Sequence, residues 1–196
     1  MYNFIKLILF YFFKIIFRYK VIGEHNIPKN GGVIIASNHI SLWDPPVVGA
    51  GLNRPINFMA KEELFSNSII KWVITTMKAF PVKRGAADRN AIRHAINLLK
   101  NGEILGLFPE GTRSKNGELG KPEPGIAMIA LKAGVPIVPA AIIGTNKVGK
   151  GGCFLPQFII KFGKPIMIHP EEKDKAAMDN LGNIVMREIS CLLKER

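Results

Sequence analysis

Cysteine is nearly absent from this chain: two residues in 196, Cys153 and Cys191. Neither has a partner at metal-ligand spacing, and two isolated thiols cannot staple a small secreted fold. A zinc module and a disulfide scaffold are both excluded, and a reduced, cytoplasm-facing protein is expected. Acidic residues are scarce as well, 15 against 27 Lys and Arg, for a net charge of +12. That balance favours anionic partners: nucleic acid, an anionic membrane surface or phosphorylated substrates. Yet no run of five or more basic residues occurs, and the aromatics gather in the first 20 residues instead of alternating with Lys and Arg. The pattern argues against a nucleic-acid-binding module. Internal repeats and low-complexity segments are missing too, which excludes solenoids and fibrous arrays. No Gly-x-Ser-x-Gly turn exists to present a serine nucleophile. The length fits one domain with a substantial core.

An uninterrupted spanning segment is also lacking. Residues 1–20, MYNFIKLILFYFFKIIFRYK, are the most apolar stretch, but Lys6, Lys14 and Arg18 break it, and a span needs about 20 mostly apolar residues. At 100° per residue Asn3, Lys6, Lys14 and Arg18 fall within an arc of about 120°, with Phe, Ile, Leu and Tyr on the remaining face. This predicts an amphipathic helix lying in the membrane interface, its basic edge towards the headgroups. A tilted anchor with snorkelling lysines is the alternative. Arg18-Tyr19-Lys20 stands where a signal peptide would carry small residues for cleavage. The expected division is therefore residues 1–20 as a membrane-docking helix and 21–196 as the remaining domain.

Beyond residue 20, short apolar runs alternate with amphipathic ones. Strands or extended pieces are predicted at residues 33–36, 56–60, 80–82, 104–108, 135–143, 158–162 and 165–168. Helices are predicted at 45–52, 61–77, 89–100, 125–133 and 174–196. Ile69, Trp72, Val73 and Thr76 share one side of the second of these, and Leu181, Ile184, Val185, Ile189 and Leu192 form a core face on the last. Two prolines in 135–143 argue for a sheet edge or a bulge. Residues 144–152 read as a loop. The alternation predicts an α/β fold, a mixed and mostly parallel central sheet flanked by helices.

The stretch Ser37-Asn38-His39-Ile40-Ser41-Leu42-Trp43-Asp44-Pro45-Pro46 follows the first buried strand. His39 thus sits at a strand's carboxyl end, where α/β proteins usually place their sites. On one continuous helix the offset between His39 and Asp44 would set them about 140° apart. Asp44 precedes proline and is pushed towards extended geometry, so the two side chains can meet only across a tight turn. There the carboxylate would accept the imidazole Nδ1–H and leave Nε2 as a base. The structural alternative makes Asp44 the N-cap of a helix starting at Pro45 and leaves His39 to the backbone.

A second segment, Phe108-Pro109-Glu110-Gly111-Thr112-Arg113-Ser114, also follows a strand. A Gly-Thr turn there offers backbone N–H groups, and Arg113 can hold a phosphate through two parallel hydrogen bonds. Arg84 and Lys61 are further cations just beyond strand ends. The three could converge on one anion; taken singly, each reads as a solvated surface charge.

Four blocks in order then carry a resemblance: Asn38-His39-x4-Asp44, Phe80-Pro81-Val82-x-Arg84-Gly85, residues 108–114, and Val135-Pro136-Ile137-Val138-Pro139. The chain resembles the glycerolipid acyltransferase family, in particular its bacterial 1-acyl-glycerol-3-phosphate acyltransferases. The resemblance implies transfer of a fatty acyl group from acyl-CoA or acyl carrier protein to the sn-2 hydroxyl of lysophosphatidic acid, giving phosphatidic acid for phospholipid biosynthesis. His39 would be the general base, oriented by Asp44. Arg113, Arg84 and Lys61 would bind the acceptor phosphate, while Glu110, Gly111 and Thr112 shape the acceptor site. No metal, bound cofactor or nucleic acid is implied. The expected location is the cytoplasmic face of the cell membrane, peripheral or monotopic. The alternatives are another lysophospholipid acceptor, an acyl-thioester hydrolase using the same His–Asp pair on water, and a non-catalytic lipid-binding module.

Overall fold

A computed structural model of the chain describes residues 1–83, 88–149, 154–168 and 174–195. The chain opens with α1 (Tyr2–Ile16), β1 (Lys20–Ile22), β2 (Val33–Ser37), α2 (Asp44–Ala50) and β3 (Ile56–Lys61). It continues through α3 (Ser68–Thr76), β4 (Ala79–Val82), α4 (Arg89–Lys100), β5 (Ile104–Leu107) and α5 (Gly125–Ala133). The last elements are β6 (Ile137–Ile143), β7 (Ile159–Phe162) and α6 (Lys175–Lys194).

The strands form one seven-stranded sheet in the order β1-β7-β6-β2-β5-β3-β4. Strands β2 to β6 are mutually parallel; β7 runs antiparallel to β6, with β1 parallel to β7. The sheet is mixed and mostly parallel, as its sequence pattern indicates. Every residue of β2 is buried, which is why Val33-Ile34-Ile35-Ala36 is apolar without alternation: both faces of a central parallel strand are covered. Val33 and Ile35 join the core shared with α1 and α2. Ile34 and Ala36 face the opposite core, built with α4, α5 and α6.

Four expectations change. Helix α1 stops at Ile16, because Arg18 takes a left-handed conformation (φ 46°) that a helix cannot continue. The Arg18 guanidinium then donates to the Leu155 carbonyl (3.0 Å), away from the basic edge of α1. Phe13 is fully buried among the rings of Phe17, Tyr19, Trp43 and Phe158. The amino-terminal helix is thus stitched into the core through one face.

The helix expected over 61–77 is broken by Asn67, whose side chain accepts from the Ile69 and Ile70 N–H groups and starts α3 afresh. Ile69, Trp72 and Val73 do not face a core; they are 75%, 57% and 45% exposed. β6 is an interior strand between β7 and β2, not an edge. Pro139 is tolerated because β7 pairing begins only at Ala140, while the Pro139 carbonyl accepts from Gly163. Residues 165–168 make one isolated bridge, Ile166 to Ile137.

Candidate active site

Five parallel strands send their carboxyl ends to one edge, with β2 between β6 and β5. The chain leaves β2 towards α2 on one face and leaves β5 towards α5 on the other. Adjacent loops that diverge in this way open a crevice between them.

Asn38 is the first residue past β2. Its amide donates to the Ile142 carbonyl (3.0 Å) and accepts from the Ile142 N–H (2.7 Å), continuing the β2–β6 ladder with a side chain. That clamp aims His39. Its Nδ1 lies 2.9 Å from Asp44 Oδ2. The same oxygen accepts the N–H groups of Ile40 (2.6 Å) and Ser41 (2.7 Å). The other oxygen, Oδ1, accepts the Thr145 hydroxyl at 2.6 Å. Asp44 is 0% exposed and His39 8%. Asp44 is therefore not an N-cap: it is the first residue of α2, whose amino end has no side-chain cap. With the carboxylate accepting from Nδ1–H, the Nε2 lone pair is the free one.

The 108–114 segment grips the same histidine. The Phe108 ring stacks on the imidazole, with centroids 4.0 Å apart and planes 16° from parallel. The His39 N–H donates to Glu110 Oε1 (3.1 Å), and the His39 carbonyl accepts from Ser114 N–H (2.8 Å). Glu110 Oε2 accepts from Gly120 (2.9 Å). Both oxygens of Glu110 are thus engaged by backbone, and its carboxylate braces the loop against His39. Gly111 turns through φ 67°, and a Cβ there would sit 3.0 Å from the Glu123 side chain; any larger residue would be strained.

Thr112 and Arg113 are exposed. The Arg113 guanidinium has no hydrogen-bond or ion-pair partner among the described residues, and the adjacent Ser114 contact ties the backbone of this turn close to His39. Lys61 ends β3, two strands from β2 in the sheet, roughly 10 Å away at ordinary strand spacing. It pairs with Glu63 at 3.0 Å, with both side chains solvent-exposed. Arg84 lies outside the described residues. His39, Asp44 and Glu110 are therefore joined by direct contacts, with Gly111, Thr112 and Arg113 in the adjoining turn. Among the described residues no group of three His, Cys, Asp or Glu side chains is placed to hold a metal ion.

The Acyltransferase family model matches residues 18–143, which takes in His39, Asp44, Lys61 and the whole 108–114 segment. The chain belongs to the acyltransferase family. Its fold agrees with the crystal structure of the 1-acyl-sn-glycerophosphate acyltransferase of Thermotoga maritima. That comparison gives a TM-score of 0.76 at 30% identity, over 99% of this chain and 82% of that one. The 1-acyl-sn-glycerol-3-phosphate acyltransferase of Bacillus subtilis is 39% identical over 128 residues, 65% of this chain and 63% of that protein. The enzyme of the same name from Borreliella burgdorferi is 32% identical over 151 residues, 76% of this chain and 58% of its own length. This acyltransferase chain thus spans about three fifths of the curated relatives it matches.

Three residues of the candidate site escape a reading of the sequence. Asn38 stands beside His39, yet its partner is on β6. Phe108 looks like the end of a buried strand and is instead the face against which the imidazole stacks. Thr145 lies in a stretch that reads as loop, beyond the end of the family match. The one local signal is Gly144 at the end of β6, a glycine at a strand's carboxyl end.

Proposed function

We propose that this chain transfers a fatty acyl group from an acyl thioester to the free sn-2 hydroxyl of 1-acyl-glycerol-3-phosphate at a membrane surface, forming phosphatidic acid. The observation that carries the reading is the buried His39 Nδ1–Asp44 Oδ2 contact of 2.9 Å, with Arg113 in the adjoining turn exposed and without a partner among the described residues. In the proposed reaction His39 Nε2 takes the proton of the acceptor hydroxyl as its oxygen attacks the thioester carbonyl. The tetrahedral intermediate collapses, the C–S bond breaks, and the imidazolium returns the proton to the leaving thiolate. Asp44 stabilises the imidazolium in between. Direct transfer requires no enzyme nucleophile, in keeping with the absence of a nucleophile elbow.

Arg113 is the cation best placed to hold the acceptor phosphate by a bidentate pair, with Arg84 and Lys61 as further contributors. Positioning of this kind contributes up to roughly 7–11 kcal/mol of barrier lowering. Gly111, Thr112 and the Glu110 brace would shape the acceptor site.

Membrane association rests on α1. Phe4, Leu7, Ile8, Tyr11, Phe12 and Ile15 are exposed on the side opposite Phe13. No helix among the described residues is long and apolar enough to cross a membrane, which favours a helix lying in the interface. The exposed Ile69, Trp72 and Val73 of α3 add to this surface. The β3–α3–β4 crossover moves outward in the same sense as β2–α2–β3, so right-handedness puts α3 on the face that carries α2 and α1.

The deciding experiment is a radiolabelled acyl-transfer assay with palmitoyl-CoA and palmitoyl-acyl carrier protein as donors, with and without lysophosphatidic acid. Phosphatidic acid formed only when the acceptor is present supports the proposal. Free fatty acid released at the same rate without acceptor would make the chain a thioester hydrolase. Product from a different lysophospholipid alone would reassign the acceptor.

A further inference from the structure

We propose that Thr145 is a positioning residue of the active site, its hydroxyl holding the second oxygen of Asp44 so that the first stays aimed at His39. The inference rests on the acyltransferase reading of the His39–Asp44 pair. Three donors converge on Asp44 Oδ2, and all come from the same turn: His39 Nδ1, Ile40 N–H and Ser41 N–H. One oxygen held from one side leaves the carboxylate free to tilt about its other end. The contact that removes this freedom comes from 101 residues away, where Thr145 Oγ1 donates to Oδ1 at 2.6 Å.

The geometry behind Thr145 is fixed. Gly144 turns the chain out of β6 at φ 92°, and a Cβ there would fall 2.0 Å from the Gln157 carbonyl oxygen. Only glycine fits, and the turn it makes buries Thr145 to 1% exposure against the start of α2. Strand β6 thereby supports both ends of the catalytic turn, Asn38 through Ile142 and Asp44 through Thr145. A buried hydroxyl on a carboxylate that accepts from four donors is stronger than a neutral hydrogen bond. Its loss would leave Oδ1 buried without a donor.

The test uses the full-length chain carrying Thr145→Val, which keeps the shape and removes the donor, and Thr145→Ser, which keeps the donor. Turnover is measured with palmitoyl-CoA and detergent-dispersed lysophosphatidic acid. Thr145→Val is expected to lower kcat about 10- to 100-fold, the range of one hydrogen bond to a charged group, with KM for both substrates nearly unchanged. Thr145→Ser is expected to recover most of that loss. In ¹⁵N-histidine spectra the His39 ring signals should shift in Thr145→Val and return in Thr145→Ser, while those of the other three histidines stay in place. If Thr145→Val does not fold, Thr145→Ala against Thr145→Ser gives the same comparison. The inference is overturned if the valine variant keeps full kcat, if serine does not rescue, or if kcat falls while the His39 signals stay put. His39→Ala is the control. Inactive His39→Ala with unimpaired Thr145→Val sinks this inference alone, whereas active His39→Ala sinks the acyltransferase mechanism beneath it.

Discussion

Asp44→Asn is the sharpest probe of the site, because the surroundings of the carboxylate dictate how an amide would settle. Oδ2 faces three N–H donors, so the Asn oxygen must occupy that position. The new NH₂ then points at Thr145 Oγ1, which can rotate from donor to acceptor. Every hydrogen bond is kept, His39 keeps its Nδ1–H tautomer, and the fold is unharmed. What disappears is one negative charge beside a ring that becomes cationic in the proposed reaction. For charge centres about 4 Å apart at an effective dielectric of 20, that attraction is worth roughly 4 kcal/mol, or about a thousandfold in rate. The expected result is kcat lower by about three orders of magnitude, KM little changed and a melting curve that overlays the parent. Thiol release from palmitoyl-CoA, followed with a chromogenic disulfide, gives the rate, and differential scanning calorimetry gives the stability. Turnover within tenfold of the parent would refute the idea that Asp44 stabilises an imidazolium. A collapse in melting temperature would show that the amide does not settle as argued.

The other variants separate binding, docking and packing. Arg113→Ala should raise KM for lysophosphatidic acid and lower kcat while sparing the acyl donor, with Arg113→Lys recovering only part, since a point charge lacks the fork; unchanged acceptor kinetics would remove Arg113 from the phosphate site. Phe4→Asp with Ile8→Asp should release the chain from anionic vesicles in a flotation assay while leaving activity on dispersed acceptor intact. Phe13→Ala, five residues beyond Ile8 and on the buried face, should instead destabilise the fold by about 3–5 kcal/mol in urea titration. Asp88 accepts from the Lys83 N–H and from Ala91 and Asn90 at the start of α4, and those bonds hold its carboxyl below the ordinary value. A carboxyl depressed in the folded state stabilises above its unfolded value near roughly 4, and loses that contribution as pH falls through its folded value. Thermal melts of Asp88→Asn should therefore be flatter than the parent below about pH 4.

The local part of the site could be read from the chain. His39 after an apolar run and an unbroken glycine-threonine-arginine turn make their geometry within a few residues, where backbone preferences act directly, whereas Asp44, expected to be extended ahead of Pro45, is the first residue of helix α2. The remainder depends on which strand lies beside which. Asn38 and Thr145 matter only because β6 is the neighbour of β2, and no periodicity in residues 33–37 or 137–143 records that adjacency. Periodicity has a second limit, visible in α1 and α3. It shows that a helix has an apolar face, not what covers that face. In α1 the apolar surface is wide enough to be divided, Phe13 entering the core while Phe4, Leu7 and Ile8 point away from it. In α3 the stripe of Ile69, Trp72 and Val73 has the spacing of a core face and lies in the open. A soluble globular protein would rarely leave two such surfaces on one side of its sheet. On the proposed reading, an enzyme whose acceptor and product both reside in a bilayer would have a physical use for each, because docking by two separated apolar elements would fix the tilt of the sheet as well as its depth. Such a tilt would decide whether the crevice between β2 and β5 opens towards the headgroups or away from them.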